Sequence, residues 1–104
     1  MTLFQKYVEV FTDWDVDAFR GLHHVDFMFV RETDRLNLDE HIEIIDKLVS
    51  DGQMNWHKVA KLVHEDEYMF AARWEQEGDI ATNVHLLKDG VSWRAFVSRS
   101  PQVR

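Results

Sequence analysis

The stretch from Trp56 to Ser98, WHKVAKLVHEDEYMFAARWEQEGDIATNVHLLKDGVSWRAFVS, decides the fold, because long strand-like runs alternate there with very short turns. An acidic triplet, a Gly-Asp pair and a Lys-Asp-Gly triplet separate the runs, and such residues are typical of hairpin connections. The predicted strands are Trp56 to His64, Tyr68 to Gln76, Ile80 to Leu87 and Val91 to Ser98, and Pro101 ends the sheet. This half of the chain therefore predicts a four-stranded antiparallel meander.

The first half of the chain has helical periodicity around one short strand. The first dozen residues form an amphipathic helix, and Asp13 or Asp15 can cap a second, short helix that ends near Gly21. Residues 26–31 have the aromatic and branched content of a strand, and residues 33–35 form a turn. A capping box with Asn37 at its start opens a third helix, which Asp51-Gly52 ends.

Length, charge and cysteine content narrow the class of protein. At 104 residues the chain is expected to form a single domain, residues 1–104. The absence of cysteine excludes disulfides and thiolate metal sites. The net charge of −7 argues against nucleic acid and membrane surfaces as partners. The sequence has no membrane-spanning run and no signal-peptide pattern at its start, so we expect a cytoplasmic protein.

The four strands carry apolar residues on both faces, which predicts that something covers each face. Helices can cover one face, and the simplest cover for the other is a second copy of the chain. We therefore expect a homodimer through the convex face of the sheet. Its contacts would include Met69, Ala71, His85 and Phe96.

Three features of the chain resemble the nuclear transport factor 2-like superfamily, which includes SnoaL-like polyketide cyclases and ketosteroid isomerases. They are a helix ending in an acidic turn, a Leu-x-x-x-Asp-aromatic entry into the first strand, and a terminal Trp-Arg-Ala-Phe strand. The first two lie in Gln5-Lys6-Tyr7-Val8, Asp15-Val16-Asp17-Ala18-Phe19 and Leu22-His23-His24-Val25-Asp26-Phe27. The resemblance covers essentially the whole chain. It implies a cone-shaped α+β barrel with a pocket inside the cone and a homodimer contact on its convex face.

The resemblance also implies which side chains face the cone. The candidate ligand-binding residues are Tyr7, Trp14, Phe27, Phe29, Arg31, Phe70, Trp74, Gln76, Thr82, Val84 and Trp93. Ala72, Leu86, Ala95 and Val97 are implied to face inward with them. The residues implied to lie on the convex face are Met69, Ala71, Arg73, Asn83, His85, Arg94 and Phe96.

Ketosteroid isomerase chemistry is not expected, although Tyr7 falls where those enzymes carry an oxyanion-hole tyrosine. The position of their general base falls on Arg31, which cannot abstract a proton at neutral pH. The position of their protonated aspartate falls on Thr82. Tyr7 is then most simply a core tyrosine whose hydroxyl has one partner.

Arg31 allows two interpretations. On the inward face of an aromatic cone it would bind a carboxylate, an enolate or a phosphate. At a strand end it would instead form a surface ion pair with Glu32 or Asp34.

The six histidines do not predict a metal site. The closest groupings are His23-His24-x-Asp26 and the pair His57 and His64, and neither has a known ligand spacing. His57 or His64 could act as a general base if either faced inward. The chain has no phosphate loop and no nucleophile elbow, so no cofactor is expected.

Two functions from different classes fit these observations. The first is a SnoaL-like pocket protein for a small apolar or aromatic, possibly anionic ligand such as a carboxylate, with catalysis left open. The second is a non-catalytic homodimeric interaction module whose cone is filled by Phe29, Trp74 and Trp93. The volume of the cavity distinguishes them.

Overall fold

The computed structural model describes residues 1–102. Of the four helices in this range, two precede the first strand and two lie between the second and third strands. They are α1 (Leu3–Thr12), α2 (Val16–Gly21), α3 (Leu38–Ser50) and α4 (Trp56–Val59). The predicted capping box at the start of α3 is confirmed, because Asn37 Oδ1 accepts from the Glu40 amide at 2.9 Å. The side chain of Asp15 caps α2 by accepting from two backbone amides. None of the helices in residues 1–102 is long and apolar enough to cross a membrane.

The strands form one six-stranded mixed sheet in the order β2-β1-β6-β5-β4-β3. They are β1 (His23–Arg31), β2 (Asp34–Asn37), β3 (Lys61–Glu65), β4 (Met69–Gln76), β5 (Asp79–Lys88) and β6 (Val91–Pro101). β1 pairs with β6 in parallel, and the other neighbours are antiparallel. The predicted α+β class is confirmed, with the helices against one face of a curved sheet.

Two local predictions about strands are wrong. The predicted strand from Trp56 to His64 begins only at Lys61, because residues 56–59 form α4, which the Ala60 amide closes by donating to the Trp56 carbonyl at 2.8 Å. Trp56 packs edge-on against Phe4 of α1 there, with ring centroids 5.5 Å apart. The predicted turn at residues 33–35 is largely β2, since the chain turns earlier and Asp34 already pairs with Arg31.

The register of β5 is also not the predicted one. Phe70 of β4 lies opposite His85, and Ala72 lies opposite Asn83. Because residues directly opposite share a face of a sheet, His85 and Asn83 face the helices with Phe70. Three residues expected inside the cone, Thr82, Val84 and Leu86, therefore lie on the outer face, and two expected outside, Asn83 and His85, lie inside.

The hairpin between β4 and β5 explains this error. Gln76 pairs with Asp79, so the two turn residues are Glu77 and Gly78, both with positive φ (52° and 85°). That geometry is typical of a two-residue hairpin turn. The predicted strands end at Gln76 and resume at Ile80, which leaves three residues between them instead of two. One residue more or fewer in the connection moves every following side chain to the opposite face.

The core lies between the inner face of the sheet and the helices. Its buried members come from both halves of the chain, and they are Leu3, Tyr7, Phe19, Leu22, Ile42 and Phe70. Phe19 is 1% exposed and Phe70 is fully buried. These contacts hold α1, α2 and α3 against the sheet and leave a cavity beside them.

Candidate functional site

A cavity of about 960 Å³ lies between the inner face of the sheet, α1, α3 and the segment that leads into α4. Its wall is mostly aromatic and aliphatic, and charged residues stand at the hairpin ends of the strands. The lining residues are Tyr7, Phe11, Phe19, Phe29, Arg31, Glu32, Leu36, His41, Ile44, Ile45, Leu48, Gln53, Met54, Asn55, Trp56, Trp74, Glu75, Gln76, Glu77, Asn83, His85, Val97 and Arg99.

Tyr7 and His23 form a buried hydrogen bond behind this wall, with Tyr7 Oη 2.7 Å from His23 Nε2. His23 Nδ1 lies 2.7 Å from the carbonyl oxygen of Phe19. Burial lowers the pKa of His23 to about 4, so at neutral pH the ring carries one N–H. A carbonyl can only accept, so Nδ1 of His23 donates to Phe19 and Nε2 accepts the proton of the Tyr7 phenol.

A second buried contact joins His85 to Ser92, with His85 Nδ1 2.8 Å from Ser92 Oγ. Burial lowers the pKa of His85 well below its usual value, so the ring is neutral at pH 7. Either group can donate in this contact, because a hydroxyl and a neutral imidazole each carry one proton and an acceptor. Burial also raises the pKa of the Tyr7 phenol.

His41 is a third buried, neutral imidazole in the cavity wall. It lies near the start of α3 and lines the cavity. Its ring stacks on Phe29 of β1, with ring centroids 4.4 Å apart. Burial lowers its pKa to about 3, and the positive charge of Arg31 contributes. The interior of the cavity is thus uncharged at neutral pH.

Asn83 contributes a buried acceptor that is unsatisfied within residues 1–102. The residue is 5% exposed and lines the cavity, and its Oδ1 has no hydrogen-bond donor in the described chain. Its cross-strand neighbours on this face are Ala72 and Val97, which offer no polar side-chain atom. An unpaired buried carbonyl costs about 1–3 kcal/mol.

Arg31 lines the cavity, but its side chain is 50% exposed, and Nη2 lies 3.8 Å from Oδ2 of Asp34. The anion-site hypothesis required an Arg31 inside the cone without a protein carboxylate, and this arrangement does not meet that condition. The second interpretation, a paired arginine at the strand end, describes the geometry.

The candidate residues from the sequence divide into two groups. Those that line the cavity are Tyr7, Phe29, Arg31, Trp74 and Gln76. Those that do not are Trp14, Phe27, Phe70, Thr82, Val84 and Trp93. Ligand binding by the first group stays a prediction.

Each candidate that lies outside the lining has a physical reason for its position. Trp14 stacks on Phe11 and donates to Asp46 at 2.9 Å, outside the cavity. Phe27 and Phe70 are buried behind the wall, against His23 and His85 respectively. Thr82 and Val84 lie on the outer face, as the register requires.

Trp93 is also displaced from the cavity. A bulge shifts the pairing of β5 with β6 between Leu86 and Leu87, so buried Ser92 lies opposite Leu87. The guanidinium of Arg94 lies over the Trp93 ring, 4.0 Å from its centroid, and Lys88 approaches the same ring. Trp93 therefore packs with cationic side chains and does not fill the cone.

Sequence reasoning missed three buried polar residues of the cavity, namely His41, Asn83 and His85. The apolar stripe of α3 alone gives no signal that the ring of His41 lies in the cavity wall. The other two were placed on the wrong face by the misjudged turn.

The remaining histidines do not add to the site. His64 is half exposed, and its Nε2 lies 2.8 Å from Oδ2 of Asp66. His57 of α4 stacks on Phe11 of α1. Neither lines the cavity, so neither is a general base there. Within residues 1–102, no three His, Asp or Glu side chains are grouped closely enough to hold a metal ion.

No protein-family model matches the sequence, and no curated protein matches it. Solved structures do match. An NTF2-like protein of unknown function from Burkholderia xenovorans is 9% identical, with 98% of this chain and 83% of that chain covered and a TM-score of 0.62. The chain has the nuclear transport factor 2-like fold.

Two further neighbours carry names that suggest an activity. A protein from Pseudomonas putida named as a candidate polyketide cyclase is 16% identical, with 96% of this chain and 92% of that chain covered and a TM-score of 0.65. One from Kribbella flavida named as a candidate ketosteroid isomerase is 12% identical, with 98% of this chain and 78% of that chain covered and a TM-score of 0.62. At these identities the likeness shows the NTF2-like fold and not the activity.

Proposed function

We propose that this protein binds a small, uncharged, largely apolar or aromatic molecule in the cavity between the sheet and α3. The observation that carries the proposal is the open volume of about 960 Å³, which is at the upper end for small-molecule sites. Aromatic and aliphatic side chains with a few convergent polar groups are the usual lining of such sites. The volume favours this proposal over the interaction-module alternative, which requires a cone packed shut.

The electrostatics of the cavity support an uncharged ligand. The buried groups at its wall, His41, His85 and Tyr7, are all neutral at pH 7. A charged ligand would leave water without gaining an opposite charge at the interior wall. At the rim, Arg31 and Arg99 already lie near the carboxylates of Asp34 and Asp79.

Tyr7 supports binding better than isomerase chemistry. Its phenol proton is donated to His23, so it is not available to stabilise an oxyanion on a ligand. The function is therefore proposed as recognition, carried by shape and by a few hydrogen bonds.

Filling the cavity is expected to abolish binding. In wild type, a neutral aromatic such as 2-naphthol or indole at ten times its Kd should add about 1.4 kcal/mol of stability. For a domain this size, that raises Tm by about 5–10 °C. Ile44→Trp places a large ring in the cavity, so the shift should disappear.

Glu43→Trp is the matched control, because it adds the same ring to the exposed side of the same helix. This variant should keep the wild-type shift. Equal ligand shifts in the Ile44→Trp and wild-type proteins would show that the ligand binds elsewhere.

We also propose a homodimer through the outer face of the sheet. An apolar row crosses this face, since Val30, Phe96, Val84 and Ala71 lie opposite one another on four adjacent strands. Phe96 is 39% exposed although it lies in the middle of this row. A second copy of the chain would cover it. His85, expected in this contact from the sequence, faces inward and is not part of it.

Phe96→Glu is expected to shift the protein from dimer to monomer, because it would bury a charge in the apolar row. Light scattering at micromolar concentration measures the mass directly. Tyr68→Glu changes an exposed aromatic in the β3–β4 turn and should leave the mass unchanged. A wild-type protein with the monomer mass would contradict the proposal.

A further inference from the structure

His41 is the polar residue in an otherwise apolar stripe of α3. The residues of this helix that line the cavity are His41, Ile44, Ile45 and Leu48, which follow the i, i+3, i+4, i+7 spacing of one helix face. The three aliphatic side chains can contribute shape alone. The imidazole of His41 is the group on this face that can form a hydrogen bond with an occupant of the cavity.

The polar edge of the His41 ring is open to the cavity. The residue is 7% exposed, and neither of its ring nitrogens has a hydrogen-bond partner within residues 1–102. Among the unpaired side-chain nitrogens and oxygens of the non-exposed residues in that range, only His57 Nδ1 and Asn83 Oδ1 are completely enclosed. Both ring nitrogens of His41 therefore keep accessible surface, in a residue that lines the cavity.

The protein side of His41 is aromatic and offers its ring nitrogens no partner. Phe29 stacks on the imidazole with ring centroids 4.4 Å apart, and Phe27 and Phe19 lie at 5.3 and 5.8 Å. The ring of His23 lies at 6.0 Å, but both of its nitrogens are already in hydrogen bonds. A partner for the His41 imidazole must therefore come from the cavity.

The occupant of the cavity decides whether this edge is paired. In the free protein, water can bond to an accessible imidazole nitrogen, and a ligand that fills the site displaces that water. A hydrocarbon would leave both nitrogens unpaired in a desolvated site, which costs free energy. A hydroxyl or carbonyl oxygen restores a bond, because a neutral imidazole carries one N–H donor and one bare acceptor nitrogen.

Resting on the proposed function, we infer that His41 recognises the polar group of the ligand, and that this group is a neutral hydroxyl or carbonyl oxygen. The oxygen lies against the polar edge of the imidazole, while the carbon skeleton packs along Ile44, Ile45 and Leu48. The site then distinguishes an oxygenated molecule from a hydrocarbon of the same shape. The aliphatic part of the lining cannot supply this distinction.

Two matched pairs of naphthalenes test the inference by calorimetry at pH 7.5. In the first pair, 2-naphthol is compared with 2-methylnaphthalene, in which a methyl group replaces the hydroxyl. In the second pair, 2-acetylnaphthalene is compared with 2-isopropylnaphthalene, which lacks the carbonyl oxygen. The protein is titrated into the ligand, so that the poorly soluble hydrocarbons stay in solution.

His41→Phe removes both ring nitrogens and keeps an aromatic ring against Phe29. Each ratio of Kd values is taken within one protein, so effects of cavity shape largely cancel between wild type and variant. At least one oxygenated probe should lose about tenfold in affinity relative to its hydrocarbon, the size of one net hydrogen bond in a buried site. A loss in the first pair assigns a hydroxyl contact, and a loss in the second pair assigns a carbonyl contact.

His64→Phe is the matched control. It makes the same change at a half-exposed histidine outside the cavity, so both ratios should stay at their wild-type values.

The stability of the free protein tests whether His41 has a structural partner instead. At pH 7.5 the Tm of His41→Phe should be unchanged or higher, because no hydrogen bond within the protein is lost. His41→Leu, whose side chain is close to imidazole in volume, repeats both measurements if a phenyl ring does not fit. A fall in Tm of more than about 5 °C in both variants would indicate a structural hydrogen bond of His41 and overturn the inference.

The outcomes separate this inference from the function on which it rests. If none of the four probes binds to wild type, the proposed function fails and the inference fails with it. If the probes bind to wild type but neither ratio changes in the His41 variants, the cavity binds ligands and the inference alone is overturned.

Discussion

Acidification from pH 7 to pH 5 is expected to lower the free energy of unfolding by about 4 kcal/mol through His23 and His41, and His85 acts in the same direction. This is a large part of the 5–15 kcal/mol that holds a typical domain folded. His23, His41 and His85 are buried, and burial lowers their pKa values to about 4, to about 3 and well below normal respectively. In the unfolded chain each titrates near 6.5. Between these values the unfolded state binds more protons than the folded state. The stabilisation from the neutral histidines is therefore present above about pH 6.5 and is lost as the pH falls towards their folded-state pKa values. Each group contributes about 1.4 kcal/mol per pH unit in that window.

The pH slope of urea-unfolding free energies measures this effect. His41→Phe keeps an aromatic ring against Phe29 and should reduce the slope by one proton, about 1.4 kcal/mol per pH unit. His64→Gln removes a half-exposed histidine and is the matched control. A slope that His41→Phe does not change would mean that His41 is already protonated in the folded protein.

Phe19→Ala is expected to cost about 3–5 kcal/mol of stability, the usual range for a phenylalanine removed from a close-packed core. Phe19 is 1% exposed, and its ring lies within 5.1 Å of Trp14 and 4.7 Å of His23, measured between centroids. It also touches Tyr7 and His41, so its loss would loosen the hydrogen-bonded chain behind the cavity.

Chemical denaturation checks this prediction against Tyr68→Ala, in which a 70% exposed aromatic is removed at little cost. If the two variants were equally stable, Phe19 could not be the centre of the core. The ligand shift of Phe19→Ala should also be smaller than that of wild type, because Phe19 lines the cavity.

Local signals in the sequence were sufficient for most of the elements. The capping box at Asn37 and Glu40 positioned α3, and the Asp89-Gly90 turn positioned the last hairpin, in which Lys88 pairs with Val91. Both signals depend on residues close in sequence and on backbone geometry that few residue types adopt. Phe29 and Arg31 were also placed on the correct face of β1.

The polar part of the site could not be predicted in the same way. The outer face of the sheet is apolar along the row through Val84 and Phe96, so hydrophobicity did not reveal which face of β5 points inward. The inward face of β5 depends on whether the connection after Gln76 has two residues or three. Trp93 was misplaced for a similar reason, because a bulge between Leu86 and Leu87 interrupts the alternation.

α4 was missed because its four residues make a single turn that is stabilised by tertiary contacts. Trp56 packs against Phe4 and Tyr7, and these contacts outweigh the strand preference of an aromatic and branched segment. No local signal in WHKV indicates this packing.

The central claim is that the cavity between the sheet and α3 is a ligand site, and an amide chemical-shift titration with 2-naphthol tests it most directly. We expect saturable shifts at Asn83, His85, Trp74 and Ile44, and the indole N–H signals of Trp56 and Trp74 should move with them. Tyr68, Val63 and Phe96, which do not line the cavity, should not respond. Shifts confined to the outer face, or no saturable shift at the cavity wall, would contradict the account.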